Sequence, residues 1–225
     1  MSLRVSPLQD LKPHEETIPS EVEKIKAALL SSGVQKAPLI VDAETGVILD
    51  GTHRYRALVE IGLKYAVVYA VQYSKPEIVV RRWLACAQSA DVSSVKEDIQ
   101  QKTVENSAAV SAVEEQRASF ALLSRKGGYL SAKRFRSIFE LYWNGWRLFQ
   151  RAASAIEFSS DAESIESLLR KFELILYRPT LNKIDVLENA LQGRLFPPKS
   201  SRHILSSKPK DICFRLSYLK GDKRV

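Results

Sequence analysis

The sequence predicts an α/β protein in two parts: an α/β domain over residues 1–90, and a mainly helical domain over residues 91–225 that carries late strands and a polar loop. Three observations carry this expectation. Up to residue 90, short apolar runs alternate with helical patterns. Past Ala90 the chain turns polar, rich in Ser, Glu, Gln and Val as far as Ala118. From Leu130 to Ala155 the residues Phe135, Phe139, Tyr142, Trp143, Trp146 and Phe149 recur at helical spacing, as core-facing residues do.

The elements follow in order. A strand is expected at Leu3–Val5, then a loop over residues 11–18. Pro19 suits a first helical turn, Glu21 and Glu23 suit the positive end of a helix, and Gly33 suits its C-terminal cap, so a helix is expected from Pro19 to about Leu30. Residues 38–41 and 47–49 read as a hairpin across the turn Asp42–Gly46. Asp50-Gly51 breaks into a second helix that ends at Gly62, and Tyr65–Val71 is the next strand. Pro76 starts a helix that includes Trp83. Residues 91–118 read as exposed helix and connection, residues 130–155 and 162–177 as helices, and residues 183–187 and 212–219 as strands.

Composition narrows the class. The chain has 225 residues, 45% hydrophobic and 27% charged, enough for a core without disulfides. No run approaches the ~18 apolar residues of a membrane span. Met1–Asp10 lacks an apolar signal core, so a cytoplasmic protein is expected, with no membrane partner. Cys86 and Cys213 sit in no metal spacing and read as buried small hydrophobes in a reducing compartment. The net charge of +8 attracts anions. Nucleic acid, a nucleotide phosphate and an anionic product all fit it, as does a merely basic surface. The charge is spread out, with modest clusters at Arg125-Lys126, Lys133–Arg136, Lys208–Lys210 and Lys220–Arg224.

Three motifs are candidates for chemistry. In Asp50-Gly51-Thr52-His53-Arg54, between strand and helix, Gly51 lets the backbone approach an anion. The helix start offers free N–H groups, Arg54 a forked cation and His53 a donor. Asp50 can ligate Mg²⁺ or accept a proton. The competing reading is a turn with Asp50 as cap and Arg54 in a surface pair. His14-Glu15-Glu16 carries little alone, since glutamates are ordinary near a helix start. In Phe196-Pro-Pro-Lys-Ser-Ser-Arg-His203, two prolines stiffen a loop that presents Lys199, Ser201, Arg202 and His203 to a carboxylate or phosphate, or simply to solvent. The chain has three histidines, and each falls in one of these motifs.

The order Leu11-Lys-Pro-His-Glu15, Gly33-Val-Gln-Lys-Ala-Pro-Leu-Ile-Val41 and Val47-Ile-Leu-Asp-Gly-Thr-His-Arg-Tyr-Arg-Ala-Leu58 resembles the ParB/sulfiredoxin-like fold. The resemblance spans residues 1–90 and resumes at residues 196–203. Sulfiredoxins carry a catalytic Cys where Thr52 stands, which excludes their chemistry here. Partition ParB proteins carry an arginine-rich phosphate box followed by a helix-turn-helix, and neither is clear here, although the Leu130–Phe149 helix could hide one. Within the group the pattern is most similar to the archaeal free-serine kinases, which are themselves similar to the serine kinase of staphylococcal siderophore-precursor synthesis. The matching features are Glu15 after His14, Asp50-Gly51-x-His53-Arg54, Trp83, and Ser201-Arg202-His203 in place of Thr-Arg-His.

The resemblance implies a ParB/sulfiredoxin-like nucleotide-binding domain and an active site in the cleft between the two domains. It implies transfer of a phosphoryl group from ADP or ATP, with Mg²⁺, to free L-serine, the product feeding cysteine synthesis or a siderophore precursor. Phosphates are expected over Gly51, Thr52, His53 and Arg54. Serine is expected near Trp83, Lys199, Ser201, Arg202 and His203. Glu15 is expected as the base, with Asp50 holding the metal or sharing that role. A ParB-like DNA-binding regulator or partition protein is the rival class, and a nucleotide switch without turnover a third. The aromatic helix face can be buried within the chain or against a second subunit.

Overall fold

The computed structural model describes residues 2–100, 102–209 and 211–221, so Lys210, Lys223 and Arg224 of the basic clusters lie outside the described residues. The chain forms two compact units. One comprises Met1–Val80, Asn182–Pro198 and Arg202–Val225, the other Arg81–Leu181 and Lys199–Ser201. The division therefore differs from the single break expected at residue 90, because the chain returns to the first unit after Leu181.

In the first unit, β1 (Ser2–Pro7) precedes α1 (Pro19–Ser32). Pro19 opens α1, where its missing N–H costs no hydrogen bond, and Gly33 at φ 67° closes it, donating to the Leu29 carbonyl at 2.9 Å. Next come β2 (Val34–Gln35), β3 (Leu39–Asp42), β4 (Ile48–Asp50), α2 (Thr52–Glu60), β5 (Tyr65–Val71) and the short β6 (Val79–Arg81). The sheet order is β1-β5-β3-β4. β3 runs parallel to β5 and antiparallel to β4, so the expected hairpin and strands are present. Leu39, Val41, Ile48, Ala57, Leu58 and Val68 fill the core.

The second unit corrects the expectation of a mainly helical domain. Its centre is a five-stranded antiparallel sheet. The elements are β7 (Trp83–Ala90), α3 (Asn106–Glu114), β8 (Ala121–Ser124), β9 (Gly127–Leu130), α4 (Ile138–Ala152), β10 (Ala153–Ser160), α5 (Ile165–Lys171) and β11 (Leu174–Tyr177), with sheet order β10-β7-β11-β8-β9. Leu84, Cys86, Leu123 and Ile175 pack on one face with α3 and α5 residues such as Ala109 and Leu168. Ala85, Ala87, Leu122 and Leu174 pack on the other with Trp146 and Phe149 of α4. A strand covered on both faces reads as a continuous apolar run, indistinguishable by period from buried helix.

That ambiguity explains two corrections. Trp83 opens strand β7 instead of lying on a helix from Pro76, and the helix expected over residues 162–177 is α5 followed by strand β11. The long aromatic helix starts only at Ile138, where the Ser137 hydroxyl accepts from the Glu140 N–H. It passes directly into β10, so no helix-turn-helix begins there.

On the return to the first unit, residues 183–187 form no strand but open α6 (Lys183–Leu191). Asn182 and Asp185 cap it reciprocally, at 2.8 and 2.9 Å, and this local bonding overrides the alternation of Ile184 and Val186. β12 (Arg202–Ile204) and β13 (Phe214–Arg215) follow; β13 pairs with β2 and then gives way to a 3-10 turn over Leu216–Leu219, where a longer strand was expected. Cys86 is buried and free, whereas Cys213 is exposed, against expectation. Among the described residues, no helix is long and apolar enough to cross a membrane.

Candidate active site

The first unit holds the His14-Glu15 and Asp50–Arg54 motifs with both ends of the third, Phe196–Pro198 and Arg202-His203. His14 is buried, and its Nδ1 lies 2.6 Å from the Ile48 carbonyl. A carbonyl only accepts, so Nδ1 carries the proton and Nε2 is left facing Glu15 Oε2 at 3.8 Å. Glu15 is itself buried at 8% exposure. The loop holding these two residues is tied to the Phe196 loop, since Phe196 N–H donates to the His14 carbonyl at 2.9 Å and Glu16 N–H to the Phe196 carbonyl at 2.8 Å. Glu15 and Thr52 line one cavity of about 370 Å³ with Pro19, Tyr55 and Arg56.

His203, on β12, packs against His14 with ring centroids 5.6 Å apart. Its Nε2 lies 2.7 Å from the Tyr73 hydroxyl. Burial, reinforced by nearby His14, pushes the His203 pKa down to about 3. At that pKa His203 is neutral at pH 7, so it would meet an anionic group as a hydrogen-bond donor and not as a cation. His53 accepts at Nε2 from the Ile18 N–H, 3.0 Å away, so this nitrogen holds the entry of α1 instead of donating to a phosphate.

The Asp50–Arg54 box is shaped by Gly51. At φ 104° Gly51 precedes α2, and no side chain caps that helix. A Cβ there would meet Arg54 Nη1 at 2.9 Å and Leu39 Cδ2 at 3.0 Å, so only glycine lets the guanidinium lie against the backbone. Arg54 Nη1 donates to the Pro38 carbonyl at 2.5 Å. Burial lowers its pKa against the opposing pull of Asp50. Asp50 is half-buried, and burial alone would raise its carboxyl. The hydrogen bond from Lys208 at 2.6 Å, with the charges of Lys208 and Arg54, outweighs burial and holds it below the usual carboxylate range. Among the described residues no group of three or more His, Cys, Asp or Glu is assembled for a metal ion. Mg²⁺ commonly takes one or two carboxylates plus substrate phosphates, and Asp50 fits that donor set.

In the second unit, Lys199 Nζ lies 5.1 Å from the centre of the half-buried Trp83 ring, and Lys199 adopts φ 55°. Ser200 and Ser201 beside it are buried. Trp83, Lys199 and Ser201 belong to this unit, while Arg202, half-buried, and His203 belong to the first. Tyr73, against His203, lay in none of the expected motifs, and Lys208, against Asp50, was expected only as part of a basic cluster. Lys208 follows His203 closely in the same basic stretch, a usable signal; Tyr73 offered none.

No family model matches the chain. It is 30% identical over 207 residues to a ParB-like protein of Sulfolobus acidocaldarius, covering 89% of this chain and 88% of that one. The chain belongs to the ParB-like family. This ParB-like chain is also 24% identical over 226 residues to the ADP-dependent L-serine kinase SerK of Thermococcus kodakarensis, covering 94% of this chain and 90% of the relative. It is 22% identical over 215 residues to an ATP-dependent L-serine kinase of Staphylothermus marinus, with 87% and 82% covered. Among solved structures, a free serine kinase in complex with AMP matches with a TM-score of 0.77 at 22% identity, over 96% of this chain and 93% of that one. SbnI of Staphylococcus aureus, truncated at its C-terminus, matches with a TM-score of 0.77 at 16% identity, over 99% and 90%. These structures share the mixed α/β fold of the ParB-like chain.

Proposed function

We propose that this chain is a kinase that transfers the terminal phosphoryl group of ADP or ATP to the hydroxyl of free L-serine, giving O-phospho-L-serine and AMP or ADP. One observation carries the reading: Glu15 and the Asp50–Arg54 box stand in one unit, linked through His14, whose ring bonds the Ile48 carbonyl two residues before Asp50. Relatives named as L-serine kinases, ADP-dependent and ATP-dependent, support the substrate.

The uncapped start of α2, with Gly51, Thr52 and Arg54, is assigned to the nucleotide phosphates. Asp50 would hold Mg²⁺, which would supply neutralisation of charge on the transferring group. Glu15 takes the proton from the serine hydroxyl as Oγ bonds to phosphorus. The bond from phosphorus to the bridging oxygen breaks, and its electron pair leaves on the nucleotide. Trp83, Lys199, Ser201 and Arg202 are assigned to serine. Neutral His203 is assigned a positioning role, through Tyr73 and His14. On this reading the enzyme works in the cytoplasm, where free serine and nucleotide meet, and its product would feed cysteine biosynthesis.

Phosphorus NMR of the purified chain with Mg²⁺, L-serine and ADP or ATP tests the reading. A new phosphomonoester signal that requires serine is expected, and the productive tube names the donor. Folded protein silent with both nucleotides would overturn it. DNA retention that falls steeply with salt would then favour the DNA-binding reading, to which the net charge of +8 lends some weight.

A further inference from the structure

Lys208 contributes a second cation to the Asp50–Arg54 box. Its Nζ lies 2.6 Å from Asp50 Oδ2, and its side chain is 34% exposed, so the stem is anchored while the ammonium stays within reach of a solute. It sits between β12, which carries Arg202 and His203, and β13. A half-exposed ion pair contributes little stability by itself. Its charge balance says more: Asp50 holds Lys208, and the Arg54 guanidinium lies against the backbone of the adjoining Gly51, so two cations accompany one carboxylate. The excess positive charge lies beside the uncapped start of α2, whose N–H groups also favour an anion. An ammonium has three donors on a flexible stem, so one can hold Asp50 while the others turn to a phosphate oxygen.

We propose that Lys208 is a phosphate-binding residue of this site, whose ammonium neutralises Asp50 in the free protein and contacts the nucleotide's phosphate chain when it binds. The proposal rests on the phosphate-site reading of the Asp50–Arg54 box. It predicts that Lys208 matters to nucleotide affinity before any turnover.

Calorimetric titration of the full chain with ADP, with and without Mg²⁺, tests it in the wild type, Lys208→Met and Lys208→Arg, each checked for folding by thermal melting. Lys208→Met is expected to weaken ADP binding about tenfold, and Lys208→Arg to restore it to within about threefold. If Lys208→Met is unstable, Lys208→Gln takes its place with the same expectation. Wild-type affinity in a folded neutral variant would show that Lys208 is only the ion-pair partner of Asp50, leaving the kinase reading untouched. Absence of ADP binding by the wild type would overturn both.

Discussion

His203 stands edge-on to His14, with ring centroids 5.6 Å apart and planes at 90°. The Tyr73 hydroxyl lies 2.7 Å from its Nε2, and the residue is 3% exposed. Burial first, then His14, lowers its pKa from 6.5 to about 3. The unfolded chain therefore binds a proton, on acidification through pH 6.5, that the fold refuses down to about pH 3. The resulting stability is full above pH 6.5 and is lost as pH falls. One proton sets a ceiling of about 1.4 kcal/mol per pH unit. Thermal melts from pH 7 to pH 4 should therefore fall more steeply for the wild type than for His203→Gln. Parallel slopes would remove His203 as the responsible group.

Glu15→Gln keeps the size and most hydrogen bonding of the side chain but cannot accept a proton at neutral pH. Serine phosphorylation is expected to drop by a factor of about 100 or more, while nucleotide affinity stays within about threefold. Near-normal turnover in the serine assay would take the base role away from Glu15.

The first unit was the more legible half because its elements carry their own punctuation. Pro19, Gly33 and the Asp50-Gly51 pair mark boundaries by backbone chemistry that operates locally. The second unit lacks such marks where it matters. Leu84–Ala87 and Leu174–Leu176 are buried on both faces, so no period distinguishes strand from helix. At the site, the grouping of His14 and His203 could be anticipated because all three histidines lie in motifs. The neutrality of His203 could not, because it depends on burial contributed by residues far away in sequence. Lys208 was visible as charge but not as the partner of Asp50, a contact 158 residues apart.

Gly51→Ala should test the shape of the Asp50–Arg54 box and its proposed role in nucleotide binding. The residue adopts φ 104°, and its new Cβ would press on Arg54 Nη1 and Leu39 Cδ2. Strain of this kind costs about 1–3 kcal/mol. Denaturant unfolding should show that loss, and ADP binding should weaken because Arg54 must move. A variant with unchanged stability would mean that the turn relaxes without cost.

Trp83→Ala tests the proposed assignment of Trp83 to serine. Lys199 holds its ammonium 5.1 Å from the ring centre at φ 55°, a left-handed backbone that a lysine adopts at some cost. The ring therefore helps to fix both the cation and the loop that continues to Ser201 and Arg202. Removing it should raise the KM for serine about tenfold, while the KM for nucleotide stays within about twofold. Trp83→Phe keeps a π face for the ammonium and should recover part of the loss. A stability loss with both KM values unchanged would instead assign Trp83 to packing alone, and Lys199→Met, which leaves the ring in place, should then also leave serine binding unaltered.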